Sequence, residues 1–423
     1  MELEEKNFIQ NESVNDTDVF ENAENLPLEN LINESQVLVD NCEECDEENF
    51  DANYNNNTPL DRSSEALEAA EALLELQNVA FEMKEPSESN VISSKNEEIS
   101  ELISNKTKFT LCGLLRNDDD LNIFTGINFL LLNNLTEAFK LCVKKCVYYH
   151  SLNVTQRIIL SLCKLKLNLS YKCLAVLFGI TRKTCSLIII NTLQTLAYIL
   201  KNAIYWPSKE EILCSMPICF KKFKNTCGVM DCSEIALEKS KCLNCRLRTY
   251  SHYKGGETMK FLFVVSPSGL IMRISEPFGG RASDKAIFNH TDILKKFEPT
   301  RDAVMVDKGF SIEEECALSR VKLIIPPKLS SNKQFSKENC IMTQEVASAR
   351  VHVERTIQRV KLFKIMSSKI TCQIAPYMSE ISKVVCGLVN LSASIIDDDG
   401  YPNTQNAPRV KNKKRRKNKL RLR

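Results

Sequence analysis

Charge in this 423-residue chain is segregated so strongly that only part of it can build a core. Residues 1 to 100 hold 27 Asp and Glu against 4 Lys and Arg, and the rest hold 27 against 52; a formal charge of +2 therefore hides portions of −23 and +25. The first 105 residues are also rich in Asn and Ser and poor in aromatics, so they cannot bury enough apolar surface to offset the entropy of ordering. This composition predicts an acidic, mostly disordered region over residues 1–105. One exception is SSEALEAAEALLELQNVAFEM, residues 63–83, where Ser64 can cap a helix with irregularly spaced Leu67, Leu74, Val79 and Phe81. It reads either as a partner-binding helix or as an acidic helix in solution. An acidic head on a basic body implies that the body meets a polyanion while the head solvates, competes or recruits.

The first residues, MELEEKNFIQ, are acidic and lack the apolar stretch of a secretory signal. No apolar run reaches the roughly 18 residues expected of a membrane span. Eighteen cysteines scattered through apolar stretches of a long chain read as reduced, buried thiols of the cytosol or nucleus. At the other end, residues 397–423 predict a disordered basic tail, and KNKKRRKNKLRLR suits a nuclear-import signal, a nonspecific DNA-binding arm or a solvated charge run.

Residues 106–205 predict a helical region. FTGINFLLLNNLTEAFKLCVKKCVYYH has helical apolar spacing, and residues 153–200 divide into three helices at clear punctuation. Thr155 can cap a first helix running to Leu167, and Ser170 a second with Leu174, Ala175 and Phe178 on its apolar face. Gly179 then supplies a left-handed turn and Thr181 caps the third helix. Two amphipathic helices joined by a short Gly-containing turn are the signature of a helix-turn-helix, whose second helix enters the DNA major groove. Arg182, Lys183, Thr184 and Ser186 are then placed to reach bases or phosphates. Cations at a helix start oppose the helix dipole, a cost easier to understand beside a polyanion. The alternative is a structural helical hairpin with solvated charges.

After Trp206 and Pro207 the period changes. NTCGVMDCSEIALEK, TMKFLFVVSP, GLIMRISEPF, DAVMVDKGF and VKLIIPP are short, β-rich and bounded by Gly, Pro or Asp, and helical stretches follow at 344–366 and 376–396. Residues 206–396 thus predict an α/β domain, a mixed sheet flanked by helices. Within it, Asp231 and Asp307 close strand-like runs and Glu354 lies in a helix-like run. A carboxylate at the end of a buried strand needs a positive partner, and three converging carboxylates make an oxygen-ligand site for a hard cation such as Mg2+. Two such ions could activate a nucleophile and stabilise a leaving 3′ oxygen.

Ordered blocks extend the picture: WP at 206, MP at 216, DCSEI at 231, YSHYKGGETMKFL at 250, GGRASDK at 279, MVDKGF at 305, IIPP at 324 and ARVHVERTIQRVK at 349. From about Thr155 to Met366 the chain resembles the PIF/Harbinger superfamily of DDE transposases. The resemblance implies an RNase H-like catalytic fold, catalytic and metal-binding roles for Asp231, Asp307 and Glu354, and a nuclear, two-Mg2+ endonuclease that cuts double-stranded DNA at transposon ends and joins 3′ ends to target DNA. It implies a Myb-like partner protein and is compatible with a homo-oligomer on DNA. The alternative is a domesticated, catalytically silent DNA-binding protein.

Gly255, Gly256 and Glu257 depart from the more polar stretch common in relatives, while His252 and Lys254 are read as DNA contacts. Asp284 is expected to cap the helix that follows it rather than to assist the metal or orient Lys285. His352, with Arg350 and Arg355, is expected to touch phosphate or to pack. Cys227, Cys232, Cys242 and Cys245 invite a zinc reading, but the first two stand five positions apart, which should send them to opposite faces of a strand. Cys142, Cys146 and His150 share a helical face and read as packing. Cys42 and Cys45 have no matching second pair.

Overall fold

The computed structural model describes residues 111–142, 152–327 and 334–392. The acidic head with its Ser64-capped segment, Cys42, Cys45, Cys146, His150 and the basic tail lie outside the described residues.

Among the described residues, five α-helices come first: α1 (Asp118–Thr125), α2 (Phe129–Cys142), α3 (Val154–Leu167), α4 (Tyr171–Phe178) and α5 (Arg182–Ile199). The first cap of the helix-turn-helix segment is not Thr155 but Asn153, whose side chain accepts from the Gln156 backbone while the Gln156 side chain accepts from the Asn153 backbone. This reciprocal capping box satisfies two orphan N–H groups and leaves Thr155 inside the first turn. The other punctuation holds. Ser170 accepts from Cys173 N, Gly179 takes φ 65°, and Thr181 accepts from Thr184 N. Every residue of α3 from Gln156 to Leu165 is buried, so this helix is the axis of the unit. Within Arg182–Ala203 an 18-residue window of mean hydropathy 1.2 is long and apolar enough on average to cross a membrane, although Asn191, Thr192, Gln194 and Thr195 interrupt any continuous apolar run. Half of it is buried here, with Ile188, Ile189, Leu193 and Leu196 facing the core.

Seven strands form one sheet: β1 (Thr226–Ala236), β2 (Tyr250–Ser251), β3 (Gly256–Val265), β4 (Ile271–Ile274), β5 (Phe278–Gly279), β6 (Ala303–Met305) and β7 (Lys322–Ile324). Their order is β2-β3-β1-β6-β7, with β4 and β5 also paired to β3. β1, β3 and β4 are antiparallel, whereas β1, β6 and β7 are parallel. Six helices accompany the sheet: α6 (Lys209–Cys214), α7 (Leu243–Thr249), α8 (Asp284–His290), α9 (Glu313–Leu318), α10 (Lys337–Lys361) and α11 (Met378–Asn390). This is the mixed, helix-flanked sheet expected of an RNase H-like α/β domain. Helix α10 begins earlier than its apolar pattern implied, because Ser336 caps it by accepting from Asn339 N.

Alternation along the strands divides the apolar residues between two cores, as a sheet covered on both faces requires. Val229, Phe261, Phe263, Val265 and Met305 join the first core with α10, α11 and the N-terminal helices. Met230, Leu262, Val264, Val304 and Val306 join the second with α8 and α9. The helical region therefore shares a core with one face of the sheet. Asn390 reinforces that junction: its amide donates to Ala203 O and Ile271 O, and its carbonyl accepts from Ile271 N.

One parity prediction fails. Cys227 and Cys232 both pack into the second core. Thr226 stands opposite Ala303 and Gly228 opposite Val304, so Cys227 is an extra, bulged residue and the alternation resets around it.

Candidate acid site and nucleic-acid interface

Parallel pairing of β1 and β6 places Val229 opposite Met305. Two residues further on, the same register brings Asp231 beside Asp307, on the face covered by α10. Asp307 ends its strand by turning: its carbonyl accepts from Phe310 N, and its Oδ1 from Lys308 N at 2.7 Å.

Helix α10 lies over this face through buried Val346, Ala349, Val353 and Ile357. Arg350 Nη1 donates to Asp307 Oδ1 at 2.9 Å, with the arginine side chain 11% exposed and the aspartate 51%. Burial pushes the Asp231 carboxyl up to about 6; Arg350 opposes this, Asp307 adds to it, and Asp284 adds a smaller push. Burial also lowers Lys361, with Lys254 pushing the same way and Asp231 opposing. On a helix, residues 350, 354 and 361 fall within about 40° of one another. Glu354 thus lies on α10 between two cations that both feel Asp231, and its side chain is exposed.

The structure accordingly brings Asp231 and Asp307 together, while Glu354 is exposed on α10, one turn after the Arg350 that bonds Asp307. Among the described residues, no group of three or more His, Cys, Asp or Glu side chains is close enough to hold a metal ion. Carboxylate oxygens are the right donors for a hard divalent cation. Arg350 bonds Asp307 and acts on Asp231, supplying positive charge to both, and its Nε is buried without a hydrogen-bond partner. The spacing of Arg350 and Lys361 around Glu354, four residues before and seven after, was the sequence signal for both.

Several other expectations change. Asp284 does not cap its helix; Ser283 does, accepting from Ala286 N. Asp284 instead accepts from Lys260 Nζ at 3.2 Å, and Lys260 also pairs with Glu234 at 3.5 Å. Lys285 pairs with Glu315 at 2.9 Å. His352 is buried, its Nε2 3.0 Å from Cys219 Sγ and its ring tilted against Phe220, so it packs. Burial, with help from Arg355, holds it down to about 4.

Of the four residues expected to reach DNA from the start of α5, Arg182 and Lys183 are exposed. Thr184 is half-buried and its hydroxyl meets that of Thr181 at 2.8 Å, while Ser186 is hydrogen-bonded to Tyr171 of α4. Both hydroxyls are thus engaged in holding the turn. His252 and Lys254 are exposed in the turn joining β2 to β3, where Gly255 adopts φ 65° and its N–H donates to Ser251 O. That turn accounts for the glycine at position 255. His252 stands edge-on to Tyr250 at 5.4 Å, and Lys254 Nζ lies 4.7 Å from the Tyr253 ring centroid.

Two family matches agree with this architecture. Residues 230–390 match the DDE superfamily endonuclease family, and residues 150–202 match the helix-turn-helix of DDE superfamily endonuclease. No curated protein and no solved structure matches the chain. Over these residues the chain belongs to the DDE superfamily of transposase-like endonucleases, with a helix-turn-helix unit ahead of the endonuclease domain.

Proposed function

We propose that the protein is a metal-dependent DNA endonuclease of PIF/Harbinger type that cuts phosphodiester bonds at transposon ends and joins the freed 3′ ends to target DNA. The observation that carries this reading is the approach of Asp231, midway along β1, to Asp307, just past the end of the parallel strand β6, under the helix α10 that carries Glu354. Asp231, Asp307 and Glu354 would hold divalent cations, two Mg2+ in this reading, which supply nucleophile activation and leaving-group stabilisation. Arg350 neutralises the paired aspartates and keeps α10 against the strand ends. Arg182 and Lys183 bind the duplex, and Lys254 with Lys361 draws the backbone toward Asp231. A nuclear location, a Myb-like DNA-recognising partner and assembly of a homo-oligomer on DNA complete the proposal.

A second reading has its own observation. Arg350 already satisfies Asp307, as it would in a domesticated, silent DNA-binding protein whose site no longer takes metal. Incubating the purified chain with supercoiled DNA and Mg2+ or Mn2+ separates the two. The endonuclease nicks the DNA, and Asp231→Asn lowers cleavage at least about a hundredfold while DNA binding persists. Binding without nicking selects the silent reading, and undiminished cleavage by Asp231→Asn removes the acid assignment.

A further inference from the structure

Beyond the acid site, at the β2 edge of the sheet, α7 and the β2–β3 turn enclose a cavity of about 290 Å3. Its walls carry Lys239, Arg246 and Arg281 against the single carboxylate of Glu257. Between the cations stand Leu243, Leu247 and Tyr250, exposed by 60%, 51% and 40%. Cations around exposed apolar and aromatic groups suit a ligand with a flat ring and a phosphate. The volume sits near the lower end for small-ligand pockets, too small for a duplex and sufficient for one nucleotide.

The cavity is built into the backbone. A Cβ on Gly279 would lie 2.2 Å from Arg248 O, and one on Gly280 would lie 2.0 Å from Thr258 Oγ1 and 2.8 Å from Thr249 O. Only glycine allows the α7–β2 junction to press so closely on this loop, and Arg281 N–H then donates to Arg248 O at 3.2 Å. The cavity and the acid site share strand β3: Glu257 lines the cavity, and Phe263, six residues on and roughly 20 Å along the strand, stands opposite Asp231.

We propose that this cavity is a nucleotide subsite, taking one unpaired nucleotide of the strand bound at Asp231, with its base on Tyr250 and its phosphate on Arg246 and Arg281. The proposal rests on the DNA reading above. It goes further in requiring the strand to be unpaired roughly 20 Å from the cut, because a base held inside a duplex cannot reach into the pocket.

The test uses the full chain in EDTA, with a blunt duplex and the same duplex bearing a short unpaired extension that carries a fluorescent purine. Anisotropy gives the affinities and the purine signal reports stacking. The wild type should prefer the extended duplex by about tenfold, within what stacking one base contributes. Tyr250→Ala and the double variant Arg246→Gln with Arg281→Gln should lose that preference yet keep wild-type affinity for blunt duplex, which also shows that they fold. Tyr250→Phe, which retains the ring, should keep the preference. Equal binding of both duplexes by the wild type, or a preference surviving in Tyr250→Ala and the double variant, overturns the subsite alone. Failure of the wild type to bind either duplex overturns the DNA reading and the subsite together.

Discussion

At the scale of single residues, the decisive contact is between Arg350 and Asp307, which the sequence did not single out as a pair. Forty-three residues separate them, and nothing local indicates that an arginine one turn before Glu354 would reach the end of β6. The contact carries a prediction. In Arg350→Gln, Asp231 and Asp307 face each other without their cation, and the metal-free protein should lose about 1–2 kcal/mol, less than a fully buried pair would cost because Asp307 is half-exposed. Millimolar Mn2+ should restore more stability to this variant than it adds to the wild type, as read by thermal denaturation with and without the ion. Equal shifts in both proteins would show that Arg350 does not compete for the cation-binding position. The carboxylates themselves were legible, because acids beside apolar runs are costly in any fold, but Asp231 lies midway along β1 rather than at the strand end its apolar run implied. The partner of Asp284 was not, since a Ser and an Asp in succession offer equally good caps and only packing gives the cap to Ser283.

Among the elements, the helix-turn-helix was the most readable, because its punctuation is local. Ser170, Gly179 and Thr181 each act within four residues of their own position. Asn153 shows the limit: two adequate cap residues stand two apart, and the reciprocal Gln156 decides between them. The two glycine sites give a ranked prediction. Gly179 has φ 65° but no neighbour within 4 Å of an added Cβ, so Gly179→Ala should cost only the left-handed backbone penalty, about 1–2 kcal/mol. Gly280→Ala would place its Cβ against Thr258 and the Thr249 carbonyl, and should cost more than Gly179→Ala. Urea unfolding of the two variants checks the order, and the reverse order would contradict the tight packing of α7 on the Gly279–Gly280 loop. Strand identities were also legible, but strand order was not, because alternation tells which face a residue takes and not which strand lies beside it.

For the molecule as a whole, thiols buried in both cores set how stability responds to alkali. Burial raises Cys112 and Cys227 to about 12, and Cys185 and Cys316 to about 11, from an ordinary value of 9.0. These groups stay protonated in the folded chain while the unfolded chain ionises, so their contribution is complete below pH 9 and is lost as pH rises toward 11–12. Lys164, lowered by burial from 10.5 to about 8, works in the opposite direction between those values, as do Lys166 and Lys361, but the raised thiols, Cys163 and Cys386 among them, outnumber these lysines. Net stability should therefore fall above pH 9 in reducing buffer. Denaturant midpoints at pH 8, 9 and 10 measure it, and a midpoint that rises over this range would refute the burial of these thiols.

Taken by itself, the sequence determined where a core could form, where the second and third helices of the helix-turn-helix unit are capped, and which carboxylates sit against apolar runs. These follow from composition, capping and apolar period, all properties of a few neighbouring residues. Only the tertiary structure decided that β6 lies parallel to β1 so that Asp231 meets Asp307, that a bulge turns Cys227 to the face of Cys232, and that Arg350 reaches Asp307. Each of these depends on register between segments far apart in the chain, and register is chosen by the packing of both sheet faces at once.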